Sequence, residues 1–299
     1  MNLRSHSARR PTLLIVGCGD IGRRVLRLVH RRWRVLALTS SPDKAAALRQ
    51  LGAVPLLGDL DDAPTVGRLG AVADWVLHLA PPPSQGTIDT RTRALLASLA
   101  RGGRVRRLVY ASTSGVYGDA QGAFFDETRA PSPATDRARR RADAEARIRW
   151  FGRSSGVAVT LLRIPGIYAA SRIGGHPRDR LLRGTPVLQA ADDVFTNHIH
   201  ADDLARICVA ALLRGKPQRV LHASDDTQLR MGDYFDLAAQ LSGLPPPRRI
   251  SRSQAAQELN PLQLSFMSES RRLDNGRLKR ELRLKLRYPT VAEGLASGD

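Results

Sequence analysis

The chain has 299 residues, 42% hydrophobic and 25% charged, a balance typical of a soluble globular protein. No apolar run approaches the roughly 20 residues of a membrane span, so no membrane segment is expected and the cytoplasm is the predicted compartment. Two isolated cysteines are too few for a disulfide framework or a metal site. The net charge of +19 comes almost entirely from arginine, and it fits either solvated helix faces or the attraction of anionic metabolites or nucleic acid.

The first elements are predicted in the stretch TLLIVGCGDIGRRVLRL, residues 12–28. Its apolar start, Leu13 to Val16, indicates a strand buried on both faces, and apolar residues at helical spacing follow. Between the two lie glycines spaced G-x-G-x-x-G, namely Gly17, Gly19 and Gly22. In this context the motif predicts dinucleotide binding: the first glycine permits a tight turn, the second admits the pyrophosphate, and the third lets the helix pack on the strand.

Strands and helices then alternate through the first half of the chain. Further strands are predicted at 33–38, 54–57, 74–80, 104–111 and 157–162, and helices at 43–51, 87–100 and 134–153. This alternation predicts an α/β fold with a doubly wound, Rossmann-like parallel sheet. The first ten residues are predicted to be disordered.

After Tyr168 the pattern loosens. Strands are predicted at 186–188 and 219–223, and helices at 201–213, 231–241, 274–286 and 289–295. We therefore predict a dinucleotide-binding Rossmann domain over residues 1–168, which strand 219–224 rejoins. Residues 169–299 would form a smaller capping lobe over the strand ends, where α/β sheets bind their ligands.

Three further motifs narrow the prediction. They are YASTSGVYG at residues 110–118, LRIPGIY at 162–168 and HIHADDL at 198–204. With the glycine loop and the turn at residues 58–60, they resemble the extended branch of the short-chain dehydrogenase/reductase superfamily. The resemblance includes the closing LDNGRLKREL and YPTVAEGL segments, and the last of these is similar to the atypical, epimerase-like members of that branch.

The resemblance implies a set of cofactor contacts. They are Gly17, Gly19, Asp20, Ile21 and Gly22 at the pyrophosphate, Asp59 and Leu60 at the adenine, Leu79, Ala80 and Pro81 along the adenosine and ribose, and Pro165 and Ile167 at the nicotinamide. Thr113 falls at the serine or threonine that hydrogen-bonds the substrate oxygen, unless it caps local backbone. Tyr117, four residues further on, is either a catalytic candidate or a packing tyrosine.

The end of the second predicted strand bears on the choice of cofactor. An acidic residue there would bind the ribose 2′-hydroxyl and select NAD. This chain has Thr39, Ser40 and Ser41 instead, without an acid and without an adjacent arginine. The hydroxyls favour NADP, with NAD as the alternative.

The long predicted helix departs from the superfamily. The resemblance implies a tyrosine at its start as general acid/base and a lysine four residues later, and these positions are Arg137 and Arg141 here. Arginine keeps a positive charge but does not shuttle protons at neutral pH. Arg141 is our candidate at the lysine position. The two arginines either clamp an anionic substrate or the cofactor phosphates, or are solvated helix charges.

His198 and His200 flank Ile199, so both point to the same face of an extended segment. With Asp202 and Asp203 they could form a metal site or a proton shuttle. The interpretation we favour is that the segment docks the capping lobe, that one of the two aspartates caps the following helix, and that the chain has no metal site. His78 is predicted to be a core histidine.

Three functional hypotheses follow. The first is an NAD(P)-dependent oxidoreductase or epimerase/dehydratase-like protein that acts on a small, anionic molecule such as a sugar nucleotide. The second is an NADP(H)-binding sensor or scaffold without turnover, and the third, less favoured, is nucleic-acid binding through the arginine clusters. The chain is expected to be a monomer or a homodimer.

Overall fold

The structure, a computed structural model, describes residues 11–298, so the predicted disorder of the first ten residues lies outside the described part. The strands are β1 Thr12–Val16, β2 Arg34–Thr39, β3 Val54–Leu57, β4 Trp75–His78, β5 Arg107–Thr113, β6 Phe124–Phe125, β7 Ala158–Ile164, β8 Gly166–Tyr168, β9 Val187–Leu188, β10 Phe195–Thr196, β11 His198–His200, β12 Arg219–His222, β13 Leu229–Arg230, β14 Arg249–Ile250 and β15 Arg272–Leu273. The helices are α1 Asp20–Val29, α2 Lys44–Gln50, α3 Leu69–Val72, α4 Thr90–Gly102, α5 Asp136–Ser155, α6 Pro177–Leu182, α7 Ala201–Arg214, α8 Met231–Ser242, α9 Arg252–Glu258, α10 Pro261–Met267, α11 Gly276–Leu282 and α12 Val291–Ala296.

Seven parallel strands form the central sheet, in the order β12-β7-β5-β4-β1-β2-β3. The chain moves outward from β1 through β2 to β3, and then crosses back to β4 on the other side of β1. This strand order confirms the predicted α/β fold with a doubly wound, Rossmann-like sheet. Ligands of such sheets bind at the carboxyl ends of the strands, where the strand order reverses.

Helices cover both faces of the sheet. Helices α1, α7 and α11 pack on one face, with Leu26, Ile207 and Leu278 fully buried between them and the strands. Helices α3, α4 and α5 cover the other face, where Leu95 and Ile148 are fully buried. Burial on both faces explains why the strands appear in the sequence as continuous apolar runs.

A smaller lobe lies over the carboxyl edge of the sheet. It contains the strand pairs β9–β14 and β10–β13 and has a core of its own, which includes Tyr168, Leu188, Tyr234 and Ile250. Its short elements α9, α10, β13, β14 and β15 were not predicted, because two-residue strands and seven-residue helices show no periodicity. The boundary at residue 168 stays a prediction.

The start of α7 joins the C-terminal segment to the sheet. The predicted aspartate cap is wrong: the Nδ1 atom of His200 accepts the hydrogen bond from the backbone N–H of Asp202, 3.3 Å away. The buried Asp203 carboxylate instead accepts from the backbone N–H groups of Arg287 and Tyr288, at 2.9 and 2.8 Å. Asp203 therefore fixes the C-terminal segment to the Rossmann domain.

Candidate cofactor and substrate cleft

The glycine loop between β1 and α1 leaves room for a ligand at one position. Gly17 has φ +87°, and a Cβ added there would lie 2.5 Å from the backbone nitrogen of Ala80. A Cβ on Gly22 would lie 3.2 Å from Cys18 Sγ, in the packing between helix and strand. A Cβ on Gly19 would meet no protein atom within 4 Å. Glycine at position 19 thus keeps space open beside the amino end of α1, as a bound pyrophosphate requires.

One branch of the cleft, about 480 Å³ in volume, follows the ends of β1, β2 and β3. Predicted cofactor residues that line it are Gly17, Gly19, Thr39, Ser40, Asp59, Leu60, Leu79, Ala80 and Pro81. Ser41 is not among its lining residues, and its backbone N–H donates to Thr39 Oγ1 in a turn. Arg23, Lys44 and Arg91 also line this branch and were missed, because helical spacing alone does not show which surface cation turns toward a strand end.

A second branch, about 330 Å³, runs from the glycine loop toward the ends of β5 and β7. The predicted residues along it are Gly17, Gly19, Asp20, Ile21, Gly22, Leu79, Thr113, Arg141, Pro165 and Ile167. The structure thus brings the predicted pyrophosphate and nicotinamide residues to one channel. Arg172 of the capping lobe also lines the channel, where its guanidinium donates to Asp20 Oδ2 at 2.7 Å.

Thr113 ends β5 at the junction of this channel with a larger cavity. Its Oγ1 accepts a hydrogen bond from the backbone N–H of Gly115 at 3.2 Å, which is the local capping considered as the alternative. The hydroxyl proton remains available to a ligand in the cleft, because accepting that bond does not use it. Capping and substrate contact are therefore compatible at Thr113.

Arg137 and Arg141 extend from α5 into the larger cavity. The guanidinium of Arg141 donates to the Tyr110 hydroxyl at 3.0 Å and to the Ala111 carbonyl at 2.8 Å, so it is held against β5. The guanidinium of Arg137 lies over the Phe266 ring, 4.9 Å from its centroid. Arg137 is still exposed to solvent, but partial desolvation first, and then the charges of neighbouring arginines, lower its pKa against the opposing charge of Glu269. Both arginines face the cleft rather than open solvent alone.

Tyr117 lies outside the cleft. Its side chain is fully buried, its hydroxyl is 2.6 Å from His222 Nε2, and the Arg163 guanidinium lies 4.5 Å from its ring centroid. Burial raises the pKa of Tyr117 to about 12. The catalytic alternative for Tyr117 therefore has no geometric support, because the side chain has no path to a ligand; the structure places it as a packing tyrosine.

The larger cavity, about 740 Å³, lies between the sheet edge and the capping lobe. Six arginines line it, Arg137, Arg140, Arg141, Arg172, Arg180 and Arg271, against a single carboxylate, Glu269. Arg180 and Arg271 were not predicted as site residues, since nothing in the sequence pattern of the capping lobe indicates which of its many arginines turn inward. A cavity with this charge attracts anions.

The histidines of β11 serve packing. The His198 ring stacks on Tyr234 with centroids 4.0 Å apart, and His200 packs against Tyr288 at 3.9 Å. Burial lowers the pKa of His198 to about 3, so it is neutral at physiological pH. Within residues 11–298, no group of three or more His, Cys, Asp or Glu side chains is arranged to hold a metal ion. In the same range, no helix has the length and apolar character to cross a bilayer.

The sequence of residues 17–214 matches the NAD(P)H-binding family. The chain belongs to this family. Among curated relatives of this NAD(P)H-binding chain, Protein YeeZ of Escherichia coli (strain K12) is 26% identical over 246 residues, which cover 78% of this chain and 85% of that protein. The predicted NAD(P) cofactor is thereby confirmed at the level of the family.

Solved structures agree with this assignment. A functionally unknown conserved protein from Silicibacter pomeroyi DSS is 31% identical, with a TM-score of 0.80 over 96% of this chain and 97% of its own. UDP-glucose 4-epimerase from Thermotoga maritima, crystallised with UDP-glucose, is 20% identical with a TM-score of 0.76 over 95% of this chain and 96% of its own. The latter likeness shows that the two proteins share a fold.

Proposed function

We propose that this chain is an NADP(H)-dependent oxidoreductase of the atypical extended short-chain dehydrogenase type, acting on a small anionic substrate. The observation that carries the proposal is the junction at Thr113 and Arg141, where the channel from the glycine loop meets the arginine-lined cavity. A cofactor in the channel and a substrate in the cavity would meet at these two side chains.

The channel fits a dinucleotide. The open space at Gly19 and the amino end of α1 would hold the pyrophosphate, while Pro165 and Ile167 would pack on the nicotinamide. When bound, the cofactor supplies or accepts the hydride.

The chain's own residues would orient the substrate and stabilise its charge. The Thr113 hydroxyl donates to the oxygen of the reacting carbonyl, and Arg141 places a fixed positive charge beside it. Arginine is too basic to deliver a proton at neutral pH, so the reduced oxygen takes its proton from water in the open cavity. Arg141 thus supports the position of the substrate and its developing negative charge, without acid/base catalysis.

Preference for NADP rests on the first branch of the cleft. Arg23 and Lys44 line it together with Thr39 and Ser40, and no carboxylate among residues 11–298 lies within ion-pair distance of either cation. A 2′-phosphate would find two cations there. We expect Arg23→Met and Lys44→Met each to weaken NADP⁺ binding about tenfold and to leave NAD⁺ binding unchanged, whereas Arg27→Met on the same helix leaves both unchanged. Equal losses for both cofactors would contradict the NADP preference.

The second candidate is a cofactor-binding sensor or scaffold without turnover. The absence of tyrosine and lysine from α5 favours it, because the usual acid/base pair is then missing. It predicts tight binding of the dinucleotide and a partner affinity that differs between the oxidised and reduced forms. No described element adds support for nucleic-acid binding, which stays a prediction testable by its salt dependence.

Calorimetric titration with NADPH, NADH, NADP⁺ and NAD⁺ is the first test, with Gly19→Val beside the wild type. We expect NADPH to bind the wild type and not the variant, since the added side chain fills the pyrophosphate space while it meets no protein atom. Oxidation of NADPH by a panel of carbonyl acids then tests turnover. Failure to bind any dinucleotide would refute both candidates, and binding without turnover would leave the sensor.

A further inference from the structure

The arginines of the larger cavity fall into two groups by their partners. Four are held by the protein: Arg172 by Asp20 at 2.7 Å, Arg271 by Glu269 at 2.7 Å, Arg140 by the Gly86 carbonyl, and Arg141 by Tyr110 and Ala111. These contacts offset or orient their charges. The other two, Arg137 and Arg180, have no carboxylate within ion-pair distance among residues 11–298, and Arg180 has only a long hydrogen bond, 3.5 Å, to the Pro186 carbonyl.

Aromatic rings contact both of these guanidinium groups. Arg137 lies over the Phe266 ring at 4.9 Å, and Arg180 lies over the Phe235 ring at 4.6 Å. Partial desolvation in the cavity lowers the pKa of both arginines, and at Arg137, which stays open to solvent, the charge of Glu269 opposes this effect. The Nε atom of Arg180 is buried without a hydrogen-bond partner within the described chain, as are the Nε atoms of Arg140 and Arg271. A ring contact fixes a guanidinium but leaves its charge uncompensated.

The two arginines reach the cavity from different elements. Arg137 is in the first turn of α5, one turn before Arg141, whose guanidinium contacts the end of β5 beside Thr113. Arg180 is on α6 of the capping lobe, against the α8 residue Phe235. The first arginine is therefore on the helix that also places Arg141 beside Thr113, and the second is on the capping lobe.

We infer that the substrate is a 2-oxo or 2-hydroxy acid with a second anionic group, held at its two ends by Arg137 and Arg180. Arg137 would bind the carboxylate next to the reacting carbon, because it lies one turn before Arg141, whose guanidinium contacts the end of β5 beside Thr113. Arg180 would bind the distal carboxylate or phosphate. The inference rests on the proposed function, in which Thr113 binds the oxygen of that same carbon.

Matched probes test the two ends separately by calorimetry, with and without saturating NADP⁺. 2-Oxoglutarate has both carboxylates, 2-oxopentanoate lacks the distal one, and 4-oxopentanoate lacks the one beside the ketone. 2-Oxoadipate and phosphohydroxypyruvate vary the spacing and replace the distal carboxylate by a phosphate. We expect at least one dianion to bind about tenfold or more tightly than the related monoanions, since each charge-assisted contact contributes that much.

Variants assign each end to its arginine. Arg137→Met should weaken binding of the preferred dianion about tenfold and leave binding of 4-oxopentanoate unchanged. Arg180→Met should also weaken binding of the dianion about tenfold, and it should leave binding of 2-oxopentanoate unchanged. The matched controls are Arg139→Met on α5 and Arg178→Met on α6, which remove the same charge from exposed positions outside the cavity wall. We expect neither control to change any affinity.

The outcomes separate the clamp from the reaction. Equal affinity for dianions and monoanions in the wild type overturns the clamp, in which Arg137 and Arg180 hold the two ends of the substrate. A loss of dianion affinity in Arg137→Met that only matches the loss in Arg139→Met overturns it too. Reduction of a monoanionic carbonyl acid by NADPH together with either result would leave the proposed function standing. Dianion binding at the two arginines without oxidation of NADPH would leave the clamp standing and refute the oxidoreductase.

Discussion

Neighbouring glycines of the β1–α1 loop differ in what a side chain would meet. At Gly17 an added Cβ would contact the backbone of residues 79 and 80, and the positive φ disfavours every other residue type. At Gly19 the space is empty, so a side chain would affect a ligand and not the fold. The roles that the motif predicted for the two positions thus correspond to two different physical constraints.

We expect Gly17→Ala to destabilise the protein by about 2 kcal/mol or more, because it combines a left-handed backbone with a backbone contact that cannot relax. Gly19→Ala should leave the free energy of unfolding within about 0.5 kcal/mol of the wild type. Urea unfolding of both variants measures the difference. Similar losses in the two variants would show that the loop is not held as described.

A buried histidine provides a pH-dependent prediction. His78 is fully buried, its Nε2 is 2.9 Å from Thr92 Oγ1, and burial, aided by the charge of Arg141, lowers its pKa to about 3. In the unfolded chain the His78 imidazole binds a proton below about pH 6.5, whereas in the folded chain it stays neutral. The folded state therefore loses stability as the pH falls. Compared with His78→Gln, the wild type should lose about 1.4 kcal/mol per pH unit between about pH 6 and pH 4. The free energy of unfolding, measured with urea at each pH, gives this comparison. If it changed with pH in the same way in the wild type and in His78→Gln, the prediction would be contradicted.

Side-chain direction limits what sequence shows at the residue scale. Thr113 and Tyr117 are four residues apart in one motif, yet a single 3-10 turn over Ser114–Tyr117 leaves Thr113 at the cleft and turns Tyr117 into the core. The position of Thr113 at a strand end was predictable from the apolar run before it. The direction of Tyr117 was not, because it depends on His222 and Arg163, distant in sequence.

At the scale of elements, α5 links the cleft to the core. Arg137 and Arg141 face the cavity, while Glu145, one turn further on, is buried against β5 and β7. The Glu145 carboxylate accepts from the Ser112 hydroxyl at 2.5 Å and from the Arg163 guanidinium at 2.7 and 3.1 Å. This ion pair fixes the height and rotation of α5, and with it the position of both cavity arginines.

We expect Arg163→Met to destabilise the protein by about 3 to 5 kcal/mol, since it leaves the Glu145 charge buried without its partner. Glu145→Gln combined with Arg163→Met should cost less than the sum of the two single changes, which a double-mutant cycle in urea measures. The exposed pair Arg139–Asp136 is the control, and Arg139→Met should change stability by less than about 1 kcal/mol. Additive losses at the buried pair would show that the two side chains do not interact as the structure shows.

Long elements were predictable and short ones were not. The helix predicted over 134–153 is α5, Asp136–Ser155, and the predicted strand 104–111 is β5, which begins three residues later because Arg104 turns aside to pair with Asp74. Apolar periodicity identified both. The two-residue strands of the capping lobe depend on partners far along the chain, such as β9 with β14, and carry no local pattern.

At the scale of the molecule, the two parts of the chain are interleaved. Helix α7, which follows the first capping elements, covers β4 and β5, and its residues Ile207 and Cys208 are fully buried. Strand β12 then adds to β7 as the last strand of the sheet. A sheet without α7 and β12 would expose one apolar face and a long edge.

We therefore expect a fragment of residues 1–168 to lack a cooperative thermal transition, whereas the full chain melts cooperatively. Circular dichroism during heating, with dye binding to exposed apolar surface, compares the two. A cooperative transition in the fragment would show that the Rossmann part folds without the segments that return to it.

The charge of the whole molecule has a consequence at the larger cavity. The cluster that contains Arg137 repels itself: besides burial, the charges of Arg141, Arg140 and Arg271 lower the pKa of Arg137. An anion that binds only the folded chain relieves this repulsion and shifts the folding equilibrium by mass action. The thermal stability of the protein therefore follows the concentration of small anions around it. Phosphate or sulfate in a storage buffer would preserve the fold and, at the same guanidinium groups, compete with the substrate.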